Sequence, residues 1–509
     1  MSAMAKTIGL ILLMVMALAT PAAPAPPQRV LKVAYADDVV SFDPDNAFLL
    51  YGLEALRVMY QGLVQYEPGT TRVTGWLAQS WSVSPDARTY TFRLHDGARF
   101  HDGSPVTAAA VMAYFQRRAT PTLALSYFLD NVASMSAPDR LTFVIRLRSP
   151  QSTFLDRLAS PWGPKVIGPG ALVGHAGGDL GGSWLNEHED GCGPYRLTEF
   201  SRDYRYVLTR DPDYWGPRPY FDRIEIDIVP SISQQMLMVR RGDLDVMMNG
   251  YPFDQLAHLP PDLRATGFDD LGEEMALVNP WHSLKDRKLR WAVLTALNPA
   301  GWLADDFDGY ATQARSLYPK AMIDAPRPVV FPGDLAAARR IVAAHGPVHL
   351  QIGYGAEEGA TQQRTAELLV SALARIGISA TVMSMPTDQE PGLRDFPQRA
   401  PDLWLARNYP DAAHPGTQAD VFFETGAPLN LFNYSNPSVD RLIGAAGQIT
   451  DRAARDRAYL AISDALFADI AFIPLADIKD VIVYRADLTD LGTRPALPWG
   501  VDYATIRRR

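Results

Sequence analysis

The chain has 509 residues, of which 47% are apolar and 21% are charged, and its formal net charge is −9. This length is too great for one ordinary core and predicts two or three domains, while the composition is typical of a globular protein. The net negative charge argues against a nucleic-acid partner.

The N-terminus carries the pattern of an export signal. Lys6 precedes an apolar run over residues 8–19, and an Ala- and Pro-rich stretch follows. This order is typical of a secretory signal peptide, which we expect over residues 1–25, because the run is too short to span a bilayer. The single cysteine, Cys192, lies far from the cleavage region, so no lipid anchor and no internal disulfide are predicted. We therefore expect a periplasmic protein without a lipid anchor.

The clearest local structure lies in residues 79–118. Tyr90, Phe92 and Leu94 alternate with polar residues, which predicts a strand with one buried face. Two Asp-Gly turns follow, and Thr107 is placed to cap a helix over residues 108–118.

Further elements follow along the chain. Residues 141–147 alternate as another strand, and the Gly- and Pro-rich residues 162–184 predict an irregular surface loop without a core of its own. Residues 348–385 predict a strand, a helix and a strand, which is a unit typical of α/β lobes.

The sequence offers no catalytic motif. The common nucleophile, phosphate-loop and zinc-helix patterns are missing. The sequence His188-Glu189-Asp190 could bind a metal, but a solvated turn is the expected structure, and Cys192 is expected to be a small buried side chain. We therefore predict no catalytic residue, no metal site and no cofactor.

The sequence of residues 77–111 resembles the motif of a known family. The pattern is L-A-x-S-W-x-x-S-x-D-x-x-x-Y-x-F-x-L-x-x-G-x-x-F-H-D-G-x-P-x-T-A-x-x-V. The matching positions are Leu77, Ala78, Ser80, Trp81, Ser84, Asp86, Tyr90, Phe92, Leu94, Gly97, Phe100, His101, Asp102, Gly103, Pro105, Thr107, Ala108 and Val111. The phrase resembles the extracytoplasmic solute-binding proteins of family 5, the dipeptide, oligopeptide and nickel receptors of ABC importers. Gly193-Pro194-Tyr195 and Tyr434-Ser435-Asn436-Pro437 resemble two further phrases of that family.

The resemblance implies a fold. The expected class is α/β, a two-lobed periplasmic-binding-protein fold of type II-like character with an extra small domain and a ligand cleft between the lobes. Lobe I would contain residues 28–56, 185–265 and 480–509, the extra domain residues 57–184, and lobe II residues 266–479.

The resemblance also implies partners. A peptide or peptide-like solute would be captured between the lobes and delivered by a monomeric receptor to an inner-membrane permease, with ATP used by other subunits. Three alternatives remain open: a receptor for a non-peptide solute such as an opine-like conjugate, sugar derivative or metal chelate, a periplasmic hydrolase, and a docking protein without a small ligand.

The candidate ligand residues begin at Trp404. The family's peptide receptors carry a phrase similar to G-W-x-x-D-x-x-D-P, whose first acid meets the ligand's amino group. Here that position falls on Arg407 or Asn408, followed by Tyr409, and only Asp411 supplies a late carboxylate.

Two interpretations follow. In the first, Arg407 points to solvent and Asp411 takes over the role of the missing acid. In the second, Arg407 and Asn408 face the cleft and favour a ligand that is neutral or anionic at this end, with Trp404 and Tyr409 as stacking surfaces. The family's strand order places three weaker candidates on the facing wall: Asn279, Trp281 and His282.

Overall fold

The computed structural model describes residues 28–47, 50–175, 177–248, 250–303, 307–323, 329–356 and 359–509. The predicted signal peptide lies outside the described residues. Within these ranges no helix combines the length and the apolar character needed to cross a bilayer.

The strands, in chain order, are β1 (Val30–Tyr35), β2 (Val64–Tyr66), β3 (Val73–Gly75), β4 (Ala78–Val83), β5 (Thr89–Leu94), β6 (Val132–Ser136), β7 (Thr142–Leu147), β8 (Tyr195–Ser201), β9 (Arg205–Arg210), β10 (Arg223–Ile228), β11 (Val246–Met247), β12 (Leu263–Phe268), β13 (Glu273–Val278), β14 (Ala311–Gln313), β15 (His349–Gly355), β16 (Ser379–Met385), β17 (Leu403–Asn408), β18 (Phe472–Ile478), β19 (Asp480–Arg485), β20 (Leu488–Thr489) and β21 (Arg507–Arg508).

The α-helices are α1 (Leu53–Met59), α2 (Ala108–Arg118), α3 (Phe154–Ala159), α4 (Pro169–Leu172), α5 (Gly182–Leu185), α6 (Ile232–Arg241), α7 (Phe253–Leu256), α8 (Arg287–Ala296), α9 (Leu335–His345), α10 (Gly359–Ala374), α11 (Gly416–Phe423), α12 (Pro437–Ala446) and α13 (Arg452–Asp469). Short 3-10 helices cover Ser126–Leu129, Ser283–Lys285, Pro299–Gly301 and Thr387–Arg394.

Three larger sheets organise most of these elements, and β2-β3 and β20-β21 form two-stranded sheets. Lobe I is built on a seven-stranded sheet in the order β12-β19-β11-β1-β10-β9-β8, and lobe II on a six-stranded sheet in the order β14-β18-β13-β17-β15-β16. A four-stranded antiparallel sheet, β4-β5-β7-β6, forms what we call the small sheet. The mixed α/β class is thereby confirmed, including the predicted β15-α10-β16 unit, whose strands pair in parallel.

Two neighbouring strands connect the lobes. β12 and β19 pair in the sheet of lobe I, and they continue as β13 and β18, which pair in the sheet of lobe II. The chain therefore crosses between the lobes at residues 269–272 and again at Lys479, and we call these two segments, the second taken together with the adjoining Asp480, the crossings. Hinges between lobes are formed by a few loop or element-terminal residues, and these two short connections have that character.

The local predictions for the small sheet are confirmed. Tyr90, Phe92 and Leu94 are buried on one face of β5, and the Thr107 hydroxyl accepts a hydrogen bond from the Ala110 amide at 3.2 Å at the start of α2. The capping bond satisfies one of the amides that the first helical turn leaves without an intrahelical partner.

A buried ionic network fixes α2 to lobe I. Arg117 contacts Asp43 at 2.7 Å, and Arg118 contacts Asp45 at 2.7 Å and donates to the Pro44 carbonyl at 2.8 Å. Burial raises the pKa of Asp43 although Arg117 opposes the shift. Because a buried carboxylate needs a charged partner, these arginines hold the loop that follows β1 against the small sheet.

Two expectations about residues 162–190 are wrong. The predicted irregular loop contains α4 and α5 and buries Val166, Ile167 and Ala171, because these apolar side chains complete the neighbouring core. In the expected solvated turn at His188-Glu189-Asp190, His188 is exposed as predicted, but the side chains of Glu189 and Asp190 are buried. Glu189 contacts His101 at 2.7 Å, and Asp190 accepts from the Asp102 amide at 3.0 Å.

Candidate functional site

A cavity of about 460 Å³ lies between the small sheet's flanking helices and lobe II. We call it the cleft cavity. Tyr127, Phe128 and Arg157 line one wall, and Tyr409 and Asp411 line the other. A wider groove of about 550 Å³ runs along β6 and meets Tyr127, but the cleft cavity is the one that contains the chain segment singled out from the sequence.

The segment of residues 404–411 begins in strand β17. This strand lies between β13 and β15 in the sheet of lobe II, and its last residue, Asn408, lines the cleft cavity. The Asn408 amide also donates to the Gln418 side chain on α11. Asn408 additionally lines a second cavity of about 230 Å³, which we call the rear cavity.

Trp404 is a packing residue of lobe II. It is 1% exposed, and its ring lies so close to Gly353 that a Cβ atom on that glycine would come within 2.6 Å of it. Trp404 also lines the rear cavity together with Gln362 and Phe422. Trp404 does not line the cleft cavity, and it lies four residues before Asn408, about 13 Å along the strand.

The first interpretation expects Arg407 to point to solvent, but the structure buries its side chain. Its side chain is 13% exposed, and its Nη2 atom lies 3.3 Å from both Asp270 and Asp480. The Tyr409 ring centroid lies 5.1 Å from the guanidinium carbon. Burial, and then the charge of Asp480, hold the pKa of Asp270 well above its usual range, whereas Arg407 opposes that shift. The positive charge of Arg407, which the second interpretation offers to an anionic ligand, is thus already paired with two acids of the protein.

Asp411 is positioned in the cleft cavity. Its carboxylate accepts a hydrogen bond from the Tyr127 hydroxyl, and burial raises its pKa. Arg157 lines the same cavity and is paired with Asp130 at 3.0 Å.

Asp420 is a second cavity carboxylate, which the sequence reasoning missed. It lies on α11, and burial followed by the charge of Glu424 raises its pKa to about 7. Its Oδ1 atom has no hydrogen-bond partner among the described residues, although it is buried. The signal that could have found it is an acid in the otherwise apolar run of residues 419–423.

The structure separates three predicted residues from this set. β13 and β17 run antiparallel, with Glu273 opposite Asn408 and Val278 opposite Leu403, so Asn279 lies at the far end of the strand pair. Five residues of strand correspond to about 17 Å.

All three of these side chains have local partners. Asn279 is fully buried and donates to the Pro397 carbonyl at 2.7 Å, Trp281 donates to the Phe432 carbonyl at 2.6 Å, and His282 contacts Asp402 at 3.0 Å. The contacts of Asn279 and His282 fix the loop before β17, and the contact of Trp281 reaches the segment between α11 and α12. The geometry therefore does not place the three residues on the wall facing Asn408, because each is used at the opposite end of the strand.

Comparison with known proteins identifies the class. The profile of the bacterial extracellular solute-binding proteins, family 5, matches residues 72–429, more than half of the chain. The chain belongs to this family, and it is a solute-binding protein.

Two relatives cover nearly the whole chain. A probable D,D-dipeptide-binding periplasmic protein of Escherichia coli K12 is 29% identical over 472 residues, covering 89% of each chain. A glutathione-binding protein of the same strain is 26% identical over 497 residues, covering 93% of this chain and 94% of its own.

Solved structures share the fold. The Helicobacter pylori periplasmic binding protein DppA, in complex with the peptide STSA, has a TM-score of 0.78 at 21% identity and covers 94% of this chain and 98% of its own. NikA from Brucella suis, in complex with Fe(III)-EDTA, has a TM-score of 0.82 at 21% identity, with 94% and 100% covered. The two-lobed fold predicted from the sequence is thereby confirmed.

Proposed function

We propose that the protein is the periplasmic receptor of an ABC importer and captures a peptide or peptide-like solute with a free amino group in the cleft cavity. The observation that carries this proposal is the pair of cavity carboxylates, Asp411 and Asp420. The cavity's cation, Arg157, already has Asp130 as a partner, so the balance of charge favours a ligand ammonium group. Tyr409 and Phe128 offer apolar surface beside these acids.

The ligand residues follow from this proposal. Asn408, Tyr409, Asp411 and Asp420 would contact the solute, and Trp404 would support the strand from behind. The two relatives, a probable D,D-dipeptide-binding protein and a glutathione-binding protein, support the same class of solute.

Binding without turnover is part of the proposal. The family consists of solute-binding proteins. Burial raises the pKa of the Cys192 thiol to about 12, which keeps it protonated and unsuited to act as a nucleophile. We propose delivery of the solute to an inner-membrane permease by a monomer that binds neither nucleic acid nor a cofactor of its own.

The division into domains stays a proposal with the boundaries given above. The strands of lobe I lie in residues 30–35, 195–268 and 480–485, those of the small sheet in residues 78–147, and those of lobe II in residues 273–478. They support the proposed division except at residue 265, because β12 continues to Phe268.

Calorimetry with a panel of free-amine dipeptides and tripeptides, each beside its N-acetylated form, tests the solute class. We expect binding of free-amine peptides that weakens about 10- to 100-fold in Asp420→Asn, because a hydrogen bond to a charged group contributes about 1.5–3 kcal/mol. Asp411→Asn should weaken binding in the same direction.

The exposed Asp464→Asn on α13 is the matched control and should leave affinity unchanged. Equal affinity for the acetylated peptides would exclude recognition of the amine. The absence of binding across the whole panel would exclude a peptide receptor.

A further inference from the structure

We propose that Arg407 is a positioning residue that binds Asp270 and Asp480, one acid on each crossing, and we call these three side chains the clasp. The clasp couples the ligand-contacting end of β17 to the angle between the lobes. The link to the solute rests on the proposed function, whereas the clasp itself rests on geometry within the protein.

The two acids that hold Arg407 lie on the two crossings. Asp270 is in residues 269–272, and Asp480 follows Lys479 directly as the first residue of β19. Arg407 belongs to neither crossing, because it lies near the end of β17 in the sheet of lobe II. One guanidinium nitrogen therefore connects three separate chain segments, at 3.3 Å from each acid.

Both acids are oriented by backbone groups. The second oxygen of Asp270 accepts from the Gly272 amide at 3.0 Å, within the first crossing. The second oxygen of Asp480 accepts from the Trp499 amide at 2.8 Å, in the C-terminal segment. The side chains of the two acids are 1% and 4% exposed, so neither can turn toward water without moving its crossing.

The clasp continues directly into the cleft cavity through Tyr409. The Tyr409 ring lies over the Arg407 guanidinium, its hydroxyl donates to Asp480 at 3.5 Å, and its ring meets that of Trp499 edge to face at 6.2 Å. Tyr409 lines the cleft cavity beside Asp411. A rotation of one lobe about the crossings would therefore move or break contacts of a residue that faces the solute.

Burying the Arg407 guanidinium costs desolvation free energy, so a contribution to stability alone does not explain it. A buried ion pair stabilises a fold little compared with well-packed apolar residues, and such pairs are best attested as devices that fix one arrangement. Here the arrangement that is fixed is the relation of β17 to both crossings. Loss of the clasp should release the crossings even without any solute.

The test is made on the protein without added peptide, so its result does not depend on the solute class. Arg407→Ala is compared with Arg494→Ala, which removes another buried arginine, paired with Asp502 at 3.0 Å and 7% exposed, outside the crossings. Both variants should lower the melting temperature. In Arg407→Ala alone, we expect hydrogen exchange of the peptide segments covering residues 268–273 and 478–481 to rise at least about tenfold, and the radius of gyration to increase.

A charge-balanced variant separates the clasp from the cost of two unpaired acids. Arg407→Met combined with Asp270→Asn and Asp480→Asn should recover the melting temperature, because no uncompensated charge stays buried. Exchange in the crossings should stay raised, since the three segments are no longer tied together. Arg407→Lys should give an intermediate rise, because an ammonium cannot present the same fork to two acids.

Two results would overturn the proposal. One is wild-type exchange in the crossings of Arg407→Ala despite a lowered melting temperature, which would make Arg407 a stabilising residue only. The other is a return of exchange to the wild-type rate in the charge-balanced variant, which would assign the effect to unpaired charge.

Discussion

At the scale of single residues, burial rather than residue type decides the chemistry of the acids. Asp411 and Asp420 sit in a cavity and have raised pKa values, and Glu54 in lobe I is 2% exposed with a pKa that burial raises to about 8. For Asp420 the apolar run of residues 419–423 is a local sign of burial, but no local pattern shows which distant elements surround any of the three acids. Their environment comes from elements far away in the chain.

Glu54 gives a pH-dependent stability that can be measured. Its pKa in the folded protein lies above that of an exposed glutamate, so the folded state binds the proton more tightly. The free energy of unfolding should therefore fall as the pH rises from about 4.5 to about 8, by at most about 1.4 kcal/mol per pH unit for one such group. Glu54→Gln should flatten this decline in urea unfolding at pH 5, 6, 7 and 8.

The exposed Glu367→Gln on α10 serves as the control and should keep the wild-type slope. A slope in Glu54→Gln that equals the wild-type slope would contradict the assignment of the buried proton to Glu54.

At the scale of elements, the sheet of lobe II depends on a fit between two strands. Gly353 in β15 lies opposite Trp404 in β17, and the tryptophan ring occupies the space where a side chain would be. The same fit holds the strand whose end carries Asn408 into the cleft cavity. A packing feature of one strand pair thus helps to set the position of the candidate site.

Gly353→Ala should destabilise the protein by about 1–3 kcal/mol, because its Cβ would come within 2.6 Å of the Trp404 ring and within 2.7 Å of Pro401. Chemical unfolding measures this change. Gly444→Ala on α12 is the matched control of opposite sign: it meets open space and should stabilise by about 0.5–1 kcal/mol through helix propensity. Equal stability of Gly353→Ala and the wild type would show that β15 and β17 can move apart to admit the methyl group without loss of unfolding free energy.

At the scale of the whole molecule, two neighbouring strands join the lobes, and the candidate site lies beside them. This arrangement places the cavity wall, the clasp and the crossings within one connected region. Capture of a solute and rotation of the lobes are therefore expected to be linked.

Small-angle scattering should show a smaller radius of gyration with a saturating free-amine dipeptide than without it. The N-acetylated form of the same dipeptide should leave the radius unchanged, because it lacks the ammonium group that Asp411 and Asp420 would hold. An unchanged radius with a dipeptide that calorimetry shows to be bound would exclude closure about the crossings.

The sequence alone determined the local elements and the family. Alternation predicted β5, the hydroxyl of Thr107 predicted the start of α2, and the pattern over residues 77–111 indicated the family, because each of these signals depends on neighbours in the chain. The unusual residue at position 407 was also visible, as a departure from the family's acid.

Only the tertiary structure decided what that departure means. Asp270 and Asp480 lie 137 and 73 residues from Arg407 along the chain, so no local pattern could pair them. Asp420 joined the candidate site, and Asn279, Trp281 and His282 were separated from it, because strand register fixes which ends of β13 and β17 meet. Charge balance in a buried site is set by the few side chains that the fold brings within a few ångströms, and the spacing of residues in the chain does not contain that information.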